Sequence, residues 1–71
     1  TYFTKAYEIL STAAKDINGS PVLHELIARV AFVMEDFKKC IFHNTKAAKL
    51  QPEDCSHNKS DIGLAYYRLG L

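Results

Sequence analysis

"ELIARVAFVMEDFKKCIFH", residues 25–43, holds the two features that decide the fold. The first is a helix that is apolar almost all the way round. Leu26, Ile27, Val30, Ala31, Phe32, Val33 and Met34, with Leu23 just before them, cover most of its circumference. Only His24, Glu25 and Arg29 interrupt them, so the helix must be covered on more than one side. The second feature is the pair Glu35–Asp36. Two acidic residues break the apolar pattern, and Phe37 starts a new one. The stretch therefore predicts a helix over 21–34, a tight turn, and a second helix over 36–50 running back along the first.

Working outward, Ser20–Pro21 starts the apolar helix. Serine caps free N–H groups, and proline suits the first helical position because its missing N–H is not needed there. Before it, Phe3, Ala6, Tyr7, Leu10, Ala13, Ala14 and Ile17 recur every three or four residues and mark one buried helix face over 1–17. Asn18–Gly19 is expected to stop that helix with a left-handed cap. On the far side, Phe37, Cys40, Ile41, Ala47, Ala48 and Leu50 form an inner stripe. Lys38, Lys39, His43, Lys46 and Lys49 form the opposite, polar face. Pro52 stands where a helix often stops. The polar run 53–59 reads as a loop, with Asn58 or Ser60 available to cap a last helix over 58–71. No strand pattern occurs. The fold class is all-α: about four helices in antiparallel hairpins.

The helices also repeat. Phe3 and Phe37, and Ala6 and Cys40, stand 34 residues apart. Ala28 and Gly63 stand 35 apart, which implies one extra residue in the polar loop. Gly63 lies inside the last helix, where glycine costs about 1 kcal/mol against alanine. It is expected, with Ala28, to let a partner helix approach closely.

"IGLAY" (62–66), "MEDFKKC" (34–40) and "AAKLQP" (47–52) carry a resemblance to the tetratricopeptide repeat family, whose unit is a helical hairpin of about 34 residues. The resemblance divides the chain into a second helix (1–17), one complete repeat (21–52) and a following first helix (58–71), stacked as an α-solenoid fragment. The sequence departs from the family pattern. His24 and Lys59 replace an early tryptophan, Ala31 a tyrosine, Cys40 an alanine, and Asn44 an aromatic residue.

The resemblance implies a concave groove lined by the first helix of each repeat, where the family binds peptides or protein segments. The groove candidates are Glu25, Arg29, Phe32 and Val33, followed by Leu64, Tyr67 and Arg68. Phe32, Val33 and Leu64 serve equally well as packing residues against neighbouring repeats. One subgroup of the family binds carboxylate termini through Lys and Asn. Glu25, Arg29 and Asp61 stand at those places here, so an apolar or mixed segment is the better expectation.

The expected role is a non-catalytic interaction scaffold for a protein or peptide partner. The alternative is a structural spacer or self-association segment within a larger repeat protein. A pentatricopeptide-like RNA binder ranks below both. Net charge is +1 and the charges are interspersed, with no same-sign run longer than a pair, so neither a nucleic-acid nor a membrane partner is expected. No nucleophile elbow, phosphate loop or acid–base pair assigns a catalytic residue, and no cofactor is expected.

No metal site is expected. Cys40 and Cys55 flank a helix and would sit about 20 Å apart, too far for one ion or a disulfide. His24, Cys55 and His57 could meet at one end but supply only three ligands. Two cysteines and no leader pattern point to an intracellular, cytoplasmic setting. Starting at Thr1 without a methionine is expected of a piece of a longer chain.

Overall fold

Four helices carry the chain: α1 (Tyr2–Asp16), α2 (Pro21–Val33), α3 (Phe37–Leu50) and α4 (Ser56–Gly70). A short 3-10 turn, Pro52–Asp54, lies between the last two. The structure is a computed structural model that describes residues 1–17 and 19–70. No strand occurs among the described residues, so the all-α class holds. Each helix packs on its chain neighbours: α1 on α2, α2 on α3, and α3 on α4.

The starts are set by side chains. The hydroxyls of Thr1 and Ser20 accept from the N–H groups of Thr4 and Leu23, each at 3.3 Å. The Asp36 carboxylate accepts from the Lys39 N–H at 3.3 Å. Each satisfies one of the four N–H groups a helix start leaves free. The turn between α2 and α3 is a Schellman closure. The Asp36 N–H donates to the Ala31 carbonyl at 2.8 Å, and the Glu35 N–H donates to the Phe32 carbonyl at 3.0 Å. This geometry needs a left-handed residue, and Glu35 supplies it with φ 63°. Two residues thus reverse the chain. At the end of α1, Ile17 is the cap residue, at φ −125°. The cap expected of Asn18–Gly19 includes Asn18, which lies outside the described residues.

The centre of the molecule is made of small side chains. Ala28, Ala31, Cys40 and Ala65 form one buried cluster, with Tyr7, Phe32, Phe37 and Ile41 packed around it. Small residues let the helices approach closely, and the larger neighbours fill the edges. The molecule is only 12 Å through its thinnest dimension between Cα atoms. Every helix therefore keeps a face toward solvent.

Four expectations change here. Phe3, Ile17 and Leu50, expected on the inner faces of their helices, are exposed. Gly63 is exposed, and a Cβ added to it would meet no atom within 4 Å. The residue that brings α4 close is Ala65, 34 residues after Ala31. The spacing of these two buried alanines needs no inserted residue, and Gly63 stands 34 residues after the exposed Arg29, not after the buried Ala28. The 53–59 loop is also shorter than expected, since Pro52 starts a 3-10 turn and α4 begins at Ser56. Asn58 and Ser60 then lie inside the helix and are not its caps. Finally, His43 belongs to the interior. Its ring stacks on His24 with centroids 5.3 Å apart, which pulls it off the polar face of α3.

Candidate functional site

Polar residues hold α2, α3 and α4 together beside the alanine core. Asn58 is fully buried and uses its amide three ways. Its Nδ2 donates to Asn44 Oδ1 at 3.2 Å and to Glu25 Oε2 at 3.0 Å. Its Oδ1 accepts from Gln51 Nε2 at 3.0 Å. Gln51 Nε2 also donates to Glu25 Oε2 at 3.1 Å, and His57 Nε2 bonds the same oxygen. Burying amides is tolerable only when they are paired, and here α2, α3 and α4 supply each other's partners. Burial pushes the Glu25 carboxyl up. The hydrogen bonds from His57, Asn58 and Gln51, together with the charge of His57, outweigh it and leave Glu25 below its usual range.

Next to this seam, α2 and α4 face each other across a cavity of about 490 Å³. Arg29, Phe32 and Val33 form one wall, and His57, Asp61 and Leu64 form the other. Cys40 and Asn44 of α3 make the floor. Val33 is 54% exposed and Leu64 is 43% exposed, so two aliphatic side chains face open space. Phe32 is half-buried. It packs edge-on against Phe37 with ring centroids 5.3 Å apart, and the Arg68 guanidinium lies over its ring at 5.7 Å. Neither Arg29 nor Arg68 has a carboxylate partner among the described residues.

The seven residues expected at a groove therefore divide. Arg29, Phe32, Val33 and Leu64 come together on the cavity wall. Arg68 joins them by lying over Phe32. Glu25 is tied into the polar seam through its Oε2 and does not line the cavity. Tyr67, 63% exposed, lies outside the cavity lining. Phe32 has both suggested roles at once, since it lines the wall and packs on the core. His57 is a wall residue the sequence reading does not include, and Asp61, noted only at a carboxylate-binding place of the family subgroup, is a second. Their signal is helical spacing, because His57, Asp61, Leu64 and Arg68 fall at i, i+4, i+7 and i+11 on one face.

The thiol at the floor has no nucleophile's setting. Burial raises the Cys40 pKa, the Asn44 amide opposes that, and the Asp61 charge adds to it. Cys40 and Cys55 are both free. The three residues weighed as metal ligands are used separately. His24 pairs with His43, the Cys55 thiol donates to the Pro52 carbonyl at 3.4 Å, and His57 bonds Glu25. No group of three ligating side chains gathers among the described residues. No described helix is long and apolar enough to cross a membrane.

Comparison with family models, curated proteins and solved structures finds no match to this chain.

Proposed function

We propose that this chain is a non-catalytic protein-interaction module that takes a partner segment into the cavity between α2 and α4. The observation that carries the reading is the cavity wall itself. Val33 and Leu64 stand exposed beside Phe32, and Arg29 and Arg68 flank them without carboxylate partners. Exposed aliphatic side chains in a concavity gain by being covered, at about 25 cal/mol per Å² of apolar surface removed from water. The arginines would orient an incoming carbonyl or carboxylate, and Asp61 would receive a donor. A segment with an apolar side chain between polar neighbours fits that order. Helices packed in chain order and residues spaced by 34 also support a tetratricopeptide-like solenoid.

The clean test is the double variant Arg29→Glu, Val33→Asp. Both side chains are exposed, so the fold should stand, as circular dichroism would verify. Phe32 is unsuitable because it packs on the core. Proteins captured from lysate by the wild type and lost with the folded variant would name the partner. Identical capture by both would remove the cavity from consideration as a binding surface.

A spacer or self-association role is the second reading. Its support is the exposed apolar surface at both ends: Tyr2, Phe3 and Ile9 on α1, and Tyr66 and Leu69 on α4. Leu71, the last residue of the helix expected over 58–71, lies outside the described residues. Association that grows with concentration and is unaffected by the cavity variant would favour this reading.

A further inference from the structure

A second cavity, of about 460 Å³, opens between α1, α2 and α3. Tyr7, Ser11 and Lys15 line it from α1, His24 from α2, and His43 and Lys46 from α3. No carboxylate is among its lining residues. Lys15 and Lys46 have no salt-bridge partner among the described residues, and the Lys46 ammonium lies over the Phe42 ring at 4.8 Å. The acids on the same three helices are placed elsewhere. Glu25 is held by His57, Asn58 and Gln51. Glu8 lines a neighbouring cavity with Lys39. Asp16 is exposed near the end of α1.

Two further features concern the buried groups. The Ser11 hydroxyl oxygen is shut away from solvent and has no hydrogen-bond partner. Unpaired buried hydroxyls are uncommon, since each costs free energy. His24 and His43 are 4% and 9% exposed, and their Nδ1 atoms lie 3.1 Å apart. At that distance one nitrogen donates and the other accepts, so the pair holds a single hydrogen between them. Burial first, and then the His24 imidazole, Lys46 at the cavity and Lys39 nearby, all discourage a charge on His43. The cleft thus gathers two ammonium groups, two imidazoles and a free hydroxyl donor, with no anion among them. The same lysines would repel a metal ion.

We propose that this cleft binds a small oxyanion of the phosphate class, through Lys15, Lys46, the Ser11 hydroxyl and the His24–His43 pair. The anion accepts from the ammonium groups and from Ser11. Its charge also makes a protonated imidazole acceptable in the pair. The shared chemistry is a phosphoryl group, either a free ion or one carried on a larger molecule.

The test follows the histidine ring resonances of the whole chain by NMR while inorganic phosphate replaces chloride at constant ionic strength. Saturable shifts at His24 and His43 are expected. The His43 pKa should rise by about one unit at saturation. The double variant Lys15→Gln, Lys46→Gln should lose both effects while keeping its helical signal, and Ser11→Ala should weaken phosphate binding. The cavity variant Arg29→Glu, Val33→Asp should keep both effects. A parallel titration with O-phosphoserine separates the sources: tighter binding than inorganic phosphate assigns a carried phosphoryl group, and equal or weaker binding assigns the free ion. If phosphate moves the ring signals no more than chloride, the proposal fails. It fails equally if the lysine double variant responds as the wild type does.

Discussion

Acid should destabilise this domain through one histidine before the carboxylates take over. Burial holds the His43 pKa down, as do the charges of His24, Lys46 and Lys39. It falls from 6.5 to about 4. The unfolded chain accepts a proton at the ordinary value, and the folded chain refuses it until much lower pH. A folded pKa below the unfolded one gives stability that is complete above pH 6.5 and is lost as pH falls toward 4. The gap is about 2.5 pH units, and each is worth about 1.36 kcal/mol, so the full loss is about 3 kcal/mol. About 2 kcal/mol of that is gone by about pH 5. A chain of this length holds about 4–10 kcal/mol in total, so the loss is a large share of it. Glu25 does not confuse the window. Its folded pKa is also lowered, but from 4.5, so its contribution is lost mainly below about pH 4.5. Urea unfolding followed by circular dichroism in a phosphate-free buffer reads the effect. Wild-type stability should drop by about 2 kcal/mol between about pH 7.5 and 5, whereas His43→Gln should start lower and change far less. A flat wild-type curve, or an equal slope in His43→Gln, would refute the account of the buried pair.

Two other substitutions test the helix register and the polar seam. Gly63→Ala should stabilise by about 1 kcal/mol and raise Tm by about 4–8 °C, because the added methyl meets no atom within 4 Å and the helix gains a better former. A lower Tm in calorimetry would mean that α4 is closely approached at Gly63 after all. Asn58→Ala should cost about 3 kcal/mol in urea titration, since it strips Asn44, Gln51 and Glu25 of a shared partner inside the fold. Ser60→Ala, two residues further on and exposed, should stay within about 0.5 kcal/mol; a large loss there would restore Ser60 as a cap.

The helices were legible because their signals are local. Ser20–Pro21 and Asp36 mark starts, and the apolar spacing marks faces, within one element at a time. The interior was less legible because its polar members are satisfied across elements. His43 looks like a solvated residue among lysines until His24, nineteen positions earlier, is placed beside it. Asn58 reads as a cap until Asn44 and Glu25 are seen to take its amide. An amide and an imidazole look the same in a hydropathy pattern whether water or another helix satisfies them. The cavity wall was half legible for the same reason. Arg29, Phe32 and Val33 stand out on an apolar helix. His57 sits where the sequence looks like a loop, and the face it shares with Asp61 appears only once α4 is known to begin at Ser56.

The separation of stabilising groups from free ones supports a binding role more strongly than the resemblance does. A slab 12 Å thick has little interior, so its helices must be fastened by a few well-placed groups. Ala28, Ala31 and Ala65 bring the backbones close, and the Glu25–Asn58–Gln51 seam fixes how α2 and α4 stand to each other. That fastening engages Glu25 but leaves Arg29, Val33 and Leu64 unused, three exposed side chains on facing helices whose spacing the seam itself sets. A surface whose geometry is fixed by other residues loses little conformational freedom when a partner arrives, and that is where preorganised affinity comes from. The seam therefore couples the two roles. Loosening it at Asn58 should weaken capture at the cavity even though Asn58 itself is fully buried and offers a partner no surface.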